Sequence, residues 1–283
     1  MMETKEVAIT DSIRVGGRHN KLLVIAGPCQ IESLEHSLMV ACTLKERLQD
    51  LPVHLVFKAS FDKANRTSGA SPRGPGMEAG LRVLQEVRKR TGLPVLTDVH
   101  TEAQIGPVAE TVDVVQTPAF LCRQTDFLTA VGNAQKPVNV KKGQFLHPSD
   151  MHFAAQKIVA TGNDRILLCE RGTCFGYRDL VVDPRSIIMM QRLGYPVILD
   201  ATHAVQSLGG GASGGASGGQ REFVAPLARA GAALGVDGIF LECHENPDRA
   251  PSDGPSMLKL SEVASVIRSV CAIREAFLLA GQR

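Results

Sequence analysis

The chain has 283 residues, with 31 Lys and Arg against 29 Asp and Glu, a formal net charge of +2, 44% hydrophobic residues and no Trp. Such a near-neutral balance excludes the basic bias on which nucleic-acid affinity rests, and the length suffices to bury a sizeable core in one large α/β domain or two small ones. The apolar runs are far short of a membrane span, the start METKE lacks the basic leader of a signal peptide, and the 7 cysteines form no CxxC pair, which points to a reducing cytoplasm rather than a disulfide framework.

In chain order, residues 7–20 (VAITDSIRVGGRHN) predict a small hairpin. Eight short apolar, β-branched runs follow: Leu22–Ala26, Val53–Phe57, Pro94–Thr97, Asp113–Gln116, Pro137–Val140, Arg165–Leu168, Pro196–Leu199 and Gly238–Leu241. They are too short and too continuously apolar for amphipathic helices and read as buried parallel strands. The stretches between them carry helical spacing, as in Glu35–Gln49 (Leu38, Ala41, Cys42, Leu44, Leu48), Met77–Val87 (Leu81, Leu84, Val87) and Leu260–Leu278 (Val263, Val266, Ile267, Val270, Ile273). Strand and helix alternating eight times predict a single α/β domain over 1–283, a (β/α)8 TIM barrel spanning 22–270 with the 7–20 hairpin capping its bottom. A doubly wound open sheet is the alternative, weakened because no GxGxxG follows the first strand. The run Gly209–Gly219 (GGGASGGASGG) has no Walker lysine and reads as a flexible loop placed where an active-site lid could lie.

In a barrel of this kind the chemistry sits at the C-terminal ends of the strands. The residues there are Cys29 and Glu32; Lys58, Ser60 and Lys63; Asp98 and His100; Thr117; Lys141, Lys142 and Gln144; Glu170 and Arg171; Asp200 and His203; Glu242 and His244. Converging Lys and Arg suit phosphate and carboxylate groups on a small anionic substrate. Cys29, His203, Glu242 and Asp253 come from strand ends 1, 7 and 8 and the loop beyond, neighbours once a barrel closes, and form a donor set for a divalent transition ion. His100 and His244 are rivals for the imidazole role.

The motifs IAGPCQIES (25–33), FKASFDKANRTS (57–68), PAFLCRQTD (118–126), VNVKKGQF (138–145), ERGTCFGY (170–177), LDATHAVQ (199–206) and GGQREF (218–223) resemble, in order, those of the 3-deoxy-D-manno-octulosonate 8-phosphate synthases. The resemblance implies a TIM barrel, generally a homotetramer in the cytoplasm. It also implies a transferase reaction in which phosphoenolpyruvate condenses with arabinose 5-phosphate, releasing phosphate, to supply lipopolysaccharide precursors. It implies that Lys58, Ser60, Lys63, Lys141, Gln144 and Arg171 hold phosphoenolpyruvate, while Asn65, Arg66 and Thr67 hold arabinose 5-phosphate across a subunit boundary. Here the motif reads ANRTS, where ANRSS is usual. Lys63, Asp98, His203 and Asp253 are the expected catalytic set. Cys29, where members without metal carry Asn, and Gly143 in KKGQF imply the metal-dependent type. Its one ion per subunit, Mn, Fe, Co or Zn, would be held by Cys29, His203, Glu242 and Asp253; DGPS in SDGPSML (252–258) is instead shared with metal-independent members. The sister 3-deoxy-D-arabino-heptulosonate 7-phosphate synthases, which use erythrose 4-phosphate and a KPRT-type motif at this place, and a non-catalytic metabolite-binding barrel are the alternatives. No nucleic-acid or membrane partner is expected.

Overall fold

The computed structural model describes residues 3–17, 21–66, 69–177, 179–207 and 218–281. Thr67, most of the glycine run and residues 18–20 of the expected hairpin lie outside them. Among the described residues, eight strands form the closed parallel barrel: Leu22–Gly27 (β1), Val53–Lys58 (β2), Val95–Asp98 (β3), Val114–Thr117 (β4), Val138–Lys141 (β5), Ile166–Glu170 (β6), Val197–Asp200 (β7) and Gly238–His244 (β8), to whose end Leu258–Lys259 adds a short parallel strand. Each pairs with the next in sequence, and β8 pairs with both β7 and β1, so the sheet closes on itself as expected. Eight helices cover the outside: Leu34–Leu48 (α1), Met77–Thr91 (α2), Glu102–Thr111 (α3), Thr125–Asn133 (α4), Met151–Val159 (α5), Pro184–Gln191 (α6), Val224–Ala233 (α7) and Val263–Ala280 (α8). Their ends carry local signals. Ser33 Oγ accepts from His36 N at 3.0 Å to open α1, Thr101 and Gln104 form a capping box on α3, and Gly92, at φ 71°, closes α2.

The two-residue period of the strands divides the core into two. Leu22, Val24, Ala26, Leu55, Phe57, Val95, Val138 and Val140 point outward and pack beneath the helices. Leu23, Ile25, Val56, Leu96, Val114, Leu167, Cys169, Ile198 and Phe240 point inward and meet Val7, Ile9 and Val15 of the N-terminal hairpin. That hairpin pairs Val7–Ala8 with Arg14–Val15, and Lys5 N donates to Gly194 O at 2.8 Å. Its apolar side chains therefore stop the bottom of the barrel, where Thr4 Oγ1 also donates to Asp237 at 3.0 Å.

A feature the sequence had not announced lies on the opposite rim. Thr173–Phe175, Asp179–Val181, Gln206–Ser207 and Gly218–Gly219 form a four-stranded antiparallel sheet above β6 and β7. These strands are two or three residues long, and their mixed residues carry no period strong enough to read.

Asp237 precedes β8 and accepts from Val197 N at 2.8 Å. Burial pushes its carboxyl up to about 6, against the lowering effect of the Val197 N–H, the nearby Arg274 and Thr4. Because the folded value exceeds the unfolded one of about 3.9, the folded state favours the protonated acid. Its contribution is full below about pH 4 and is lost as pH rises through about 6. In urea unfolding between pH 4 and pH 7, wild type should lose up to about 3 kcal/mol relative to Asp237→Asn; parallel pH profiles would show that Asp237 ionises as freely folded as unfolded.

Candidate active site

Above the inward apolar layer, the same face of the strands turns polar. Lys58, Asp98, Gln116, Lys141, Asp200 and Glu242 are the inward residues at the tops of β2, β3, β4, β5, β7 and β8, and all are buried. Phe240 forms their floor, with Lys141 Nζ 3.9 Å and Lys58 Nζ 5.6 Å from its ring centroid.

Glu242 is the centre. Its Oε1 accepts from Lys58 Nζ at 2.7 Å, lies 3.9 Å from Lys63 Nζ and 3.7 Å from His203 Nε2, while its buried Oε2 has no hydrogen-bond partner among the described residues. Burial disfavours the ionised carboxylate, but Lys58, His203 and Lys63 outweigh it and hold Glu242 far below the usual range. Lys58 Nζ also donates to Cys29 O at 3.0 Å. Gly27 lets the backbone of Lys58 come close, since a Cβ there would sit 2.1 Å from Lys58 O. Cys29 Sγ in turn donates to Asp253 Oδ2 at 3.0 Å. Burial, then the Asp253 and Glu242 carboxylates, push the Cys29 thiol well up. Lys63 is the converse: burial disfavours its charge, yet Cys29, Glu242, Asp98 and Asp253 raise it well above the ordinary lysine value.

Two further groups adjoin this centre. Asp200 Oδ2 accepts from Lys141 Nζ and from His203 Nδ1, the latter at 2.7 Å, and burial of Asp200 is outweighed by His203 and Lys141, which keep it ionised. Arg171 Nη2 donates to His203 O at 3.0 Å and to Gln206 Oε1 at 2.8 Å, and Gln206 Nε2 donates to Asp253 Oδ1 at 2.7 Å. On the β3 side Ser60 Oγ donates to Asp98 Oδ1, and His100 Nε2 lies 3.0 Å from Asp98 Oδ2. Burial of Asp98 is outweighed by His100, Lys63 and Lys58, which hold it well below the usual carboxylate range.

The structure thus brings together Cys29, Lys58, Lys63, Lys141, Arg171, His203, Glu242 and Asp253, with Ser60 and Asp98 alongside. Gln144 is 2% exposed, and among the described residues neither atom of its amide has a hydrogen-bond partner; Arg171 Nε is likewise buried and without one among them. Buried polar atoms of this kind are satisfied by a ligand or water. Asn65 is exposed, and Thr67 lies outside the described residues. Arg66 is tied to the opposite loop instead: its guanidinium donates to Ser252 Oγ, Gln30 Oε1, Pro72 O and Pro251 O, each at 2.9 Å.

Of the four expected ligands, Cys29, Glu242 and Asp253 offer atoms within 4.8 Å of one another; His203 is not part of that group, though its Nε2 lies 3.7 Å from Glu242 Oε1. A thiol that its neighbours push upward needs a cation to become a thiolate, and one sulfur, one imidazole and two carboxylates suit a borderline transition ion better than magnesium. The residues fit such an ion. The rival imidazoles are engaged elsewhere, His100 with Asp98 and His244 with Glu32 at 2.9 Å. His244 Nδ1 accepts from Asn246 N at 2.9 Å, so its Nε2 carries the proton toward Glu32 and offers no lone pair.

Sequence reasoning missed Gln206, which joins Arg171 to Asp253, and Ser252 and Gln30, which hold Arg66. Gln206 and Gln30 lay inside quoted motifs, but an amide carries no chemical signal until its partners are known. Lys142, noted only as a rim cation, is wholly buried and points away from its neighbour Lys141. Its Nζ donates to Thr173 Oγ1 at 3.0 Å, Gly172 O at 3.2 Å and Gly143 O at 3.3 Å, and lies 3.4 Å from Glu170 Oε1.

The sequence profile of the DAHP synthetase I family matches residues 5–276. Among curated proteins, the chain is similar to the 2-dehydro-3-deoxyphosphooctonate aldolase of Magnetococcus marinus, 55% identical over 95% of this chain and 93% of that one. It is 53% identical to the protein of the same name from Desulfatibacillum aliphaticivorans, over 95% of this chain and 99% of the other. The Syntrophotalea carbinolica protein, again of that name, is 54% identical over 96% of each chain.

Replacing Lys142 by Met leaves Glu170 buried beside orphaned acceptors, so the folded state should lose about 3–5 kcal/mol in denaturant unfolding. A loss below about 1 kcal/mol would mean that water enters and replaces the ammonium.

Proposed function

The chain belongs to the DAHP synthetase I family, and we propose that, like the 2-dehydro-3-deoxyphosphooctonate aldolases it resembles, it condenses phosphoenolpyruvate with D-arabinose 5-phosphate and water. The products are 3-deoxy-D-manno-octulosonate 8-phosphate and inorganic phosphate, a transferase reaction supplying lipopolysaccharide precursors. The observation that carries the reading is the cation set Lys58, Lys63, Lys141 and Arg171 around one mouth, with the buried Gln144 amide, unpartnered among the described residues, beside it.

Lys58, Ser60, Lys63, Lys141, Gln144 and Arg171 would hold the carboxylate and phosphate of phosphoenolpyruvate. Asn65, Arg66 and Thr67 would receive arabinose 5-phosphate, Arg66 exchanging its loop carbonyls for phosphate oxygens. Carbon 3 of phosphoenolpyruvate attacks the aldehyde carbon, and water adds to carbon 2 as positive charge develops there. The resulting hemiketal phosphate then breaks its C–O bond to release phosphate. The protein's part is to align two anionic substrates and to exclude bulk water at preset charges. Asp98, kept ionised by His100, fixes Ser60; Lys63 keeps its proton because four acidic groups surround it. Held by Cys29, His203, Glu242 and Asp253, a divalent Mn, Fe, Co or Zn ion would lower the pKa of the attacking water or orient the aldehyde.

A cytoplasmic homotetramer fits the same reading. All seven cysteines are free. Among the described residues no helix is long and apolar enough to cross a membrane. Phe120, Phe145, Phe153, Phe175 and Tyr177, all following β4, β5 or β6, are exposed and offer apolar surface for subunit contact.

Phosphate release from phosphoenolpyruvate should depend on arabinose 5-phosphate, stop on chelation and return with Mn(II) or Co(II). Equal turnover with erythrose 4-phosphate would move the assignment to the sister synthases, and unchanged turnover after verified metal removal would make Cys29 a bystander. Cys29→Asn should shift the chain toward turnover without metal; a folded, substrate-binding but inactive variant would contradict this.

A further inference from the structure

Asp200 was noted in the sequence only as a polar residue at a strand end. In the structure it is wholly buried, and among the described residues its side-chain hydrogen bonds run to His203 and Lys141. Oδ1 accepts from His203 N at 2.8 Å; Oδ2 lies 2.7 Å from His203 Nδ1 and accepts from Lys141 Nζ. Lys141 Nζ is also 3.2 Å from His203 Nδ1. The neutral ring allows two proton arrangements. If Nδ1 were the bare nitrogen, accepting from Lys141, its lone pair would also confront a carboxylate oxygen at 2.7 Å. An ionised carboxylate only accepts, so that arrangement sets two lone pairs against each other. If Nδ1 bears the hydrogen, it donates to Asp200 at a charge-assisted distance, and Lys141 spends its protons on the same carboxylate. The second arrangement satisfies every group.

It also settles the other ring nitrogen. In the neutral ring Nε2 is then the bare nitrogen, and it lies 3.7 Å from Glu242 Oε1, too long for the hydrogen bond that would call for a proton there. We propose that Asp200 is a positioning residue that holds the neutral His203 ring in the tautomer whose Nε2 lone pair lies toward Glu242, while anchoring Lys141 with the same carboxylate. The role as a ligand setter rests on the metal reading given above. Outer partners of this type orient the ring and raise its basicity, and their loss weakens metal binding about 10–100-fold. One carboxylate thus serves both the metal donors and a lysine of the substrate pocket.

Asp200→Asn breaks the arrangement whichever way its amide sits, because Oδ2 holds both Nδ1 and Lys141. An NH2 in that place turns Nδ1 into an acceptor, moves the ring proton to Nε2 and releases Lys141; a carbonyl there sets the NH2 against the His203 backbone N–H. Competition with a chromophoric chelator for Co(II) should show about 10–100-fold weaker binding in Asp200→Asn. The KM for phosphoenolpyruvate, measured with saturating Co(II), should rise as well, because Lys141 shares the oxygen that holds Nδ1. Affinity within twofold of wild type overturns the proposal. His203→Ala and Cys29→Ala are measured alongside: if they also bind Co(II) as wild type does, the metal reading itself fails and takes the ligand-setting role with it. A readout on the wild-type, metal-free chain needs no stable variant. Nitrogen-15 NMR of labelled histidine, with His203 assigned by its loss in His203→Gln, should show the hydrogen on Nδ1; a hydrogen on Nε2 overturns the proposal without reference to any ion.

Discussion

Glu242 is an ionised carboxylate with no access to water, and the barrel mouth is arranged around its needs. Removing two charges from water costs several kcal/mol each, and their attraction offsets this only where the geometry is tight. Lys58 supplies the tight contact at 2.7 Å, and Lys63 and His203 add weaker ones from opposite sides. Lys58 also pins the carbonyl of Cys29, which sets the thiol against Asp253. A pair of this kind is a poor source of net stability. Its worth lies in fixing four strand ends and two loops relative to each other, at a place where an apolar substitute would fill the space and do no chemistry.

The floor beneath these charges explains their height in the barrel. On the inward face, Ile25, Val56, Leu96, Ile198 and Phe240 fill the lower layers. One pleat higher the same face carries Lys58, Asp98, Asp200 and Glu242. Phe240 closes the apolar layer and presents its ring to Lys141 and Lys58. Charge stacked directly on an apolar layer loses solvent from below, so the field at the mouth is strong and directional.

This layering is why so much was legible beforehand. Eight apolar runs and the ionisable residues just beyond them are local patterns, and the observed strands agree with the expected ones to within a few residues. Cys29, His203, Glu242 and Asp253 could be nominated together only because closure makes β1 and β8 neighbours. What stayed hidden depends on partners distant in the chain. Gln206 matters because Arg171 and Asp253 flank it; Arg66 turns to Ser252, 186 positions away. Lys142 reads like its twin Lys141 until the pleat sends the two in opposite directions. Hydrogen-bond direction, which decides between tautomers of His203 and His244, is absent from any pattern of letters.

The rim sheet has a consequence for how such a chain can change over generations. Gln206–Ser207 and Gly218–Gly219 are paired to each other, and Gln220 N donates to Val205 O at 3.1 Å, so the two ends of the glycine-rich insertion are stapled together beside the mouth. Gly219 is wedged so closely on Ser256 that a Cβ would lie 2.0 Å from its hydroxyl. With both ends fixed, the cost of a longer connection grows only with the logarithm of its length, about 0.6 kcal/mol for each doubling. Lineages can therefore lengthen, shorten or rewrite this segment while the charged centre below is inherited intact, and the staple, rather than the insertion, is what drift must leave alone.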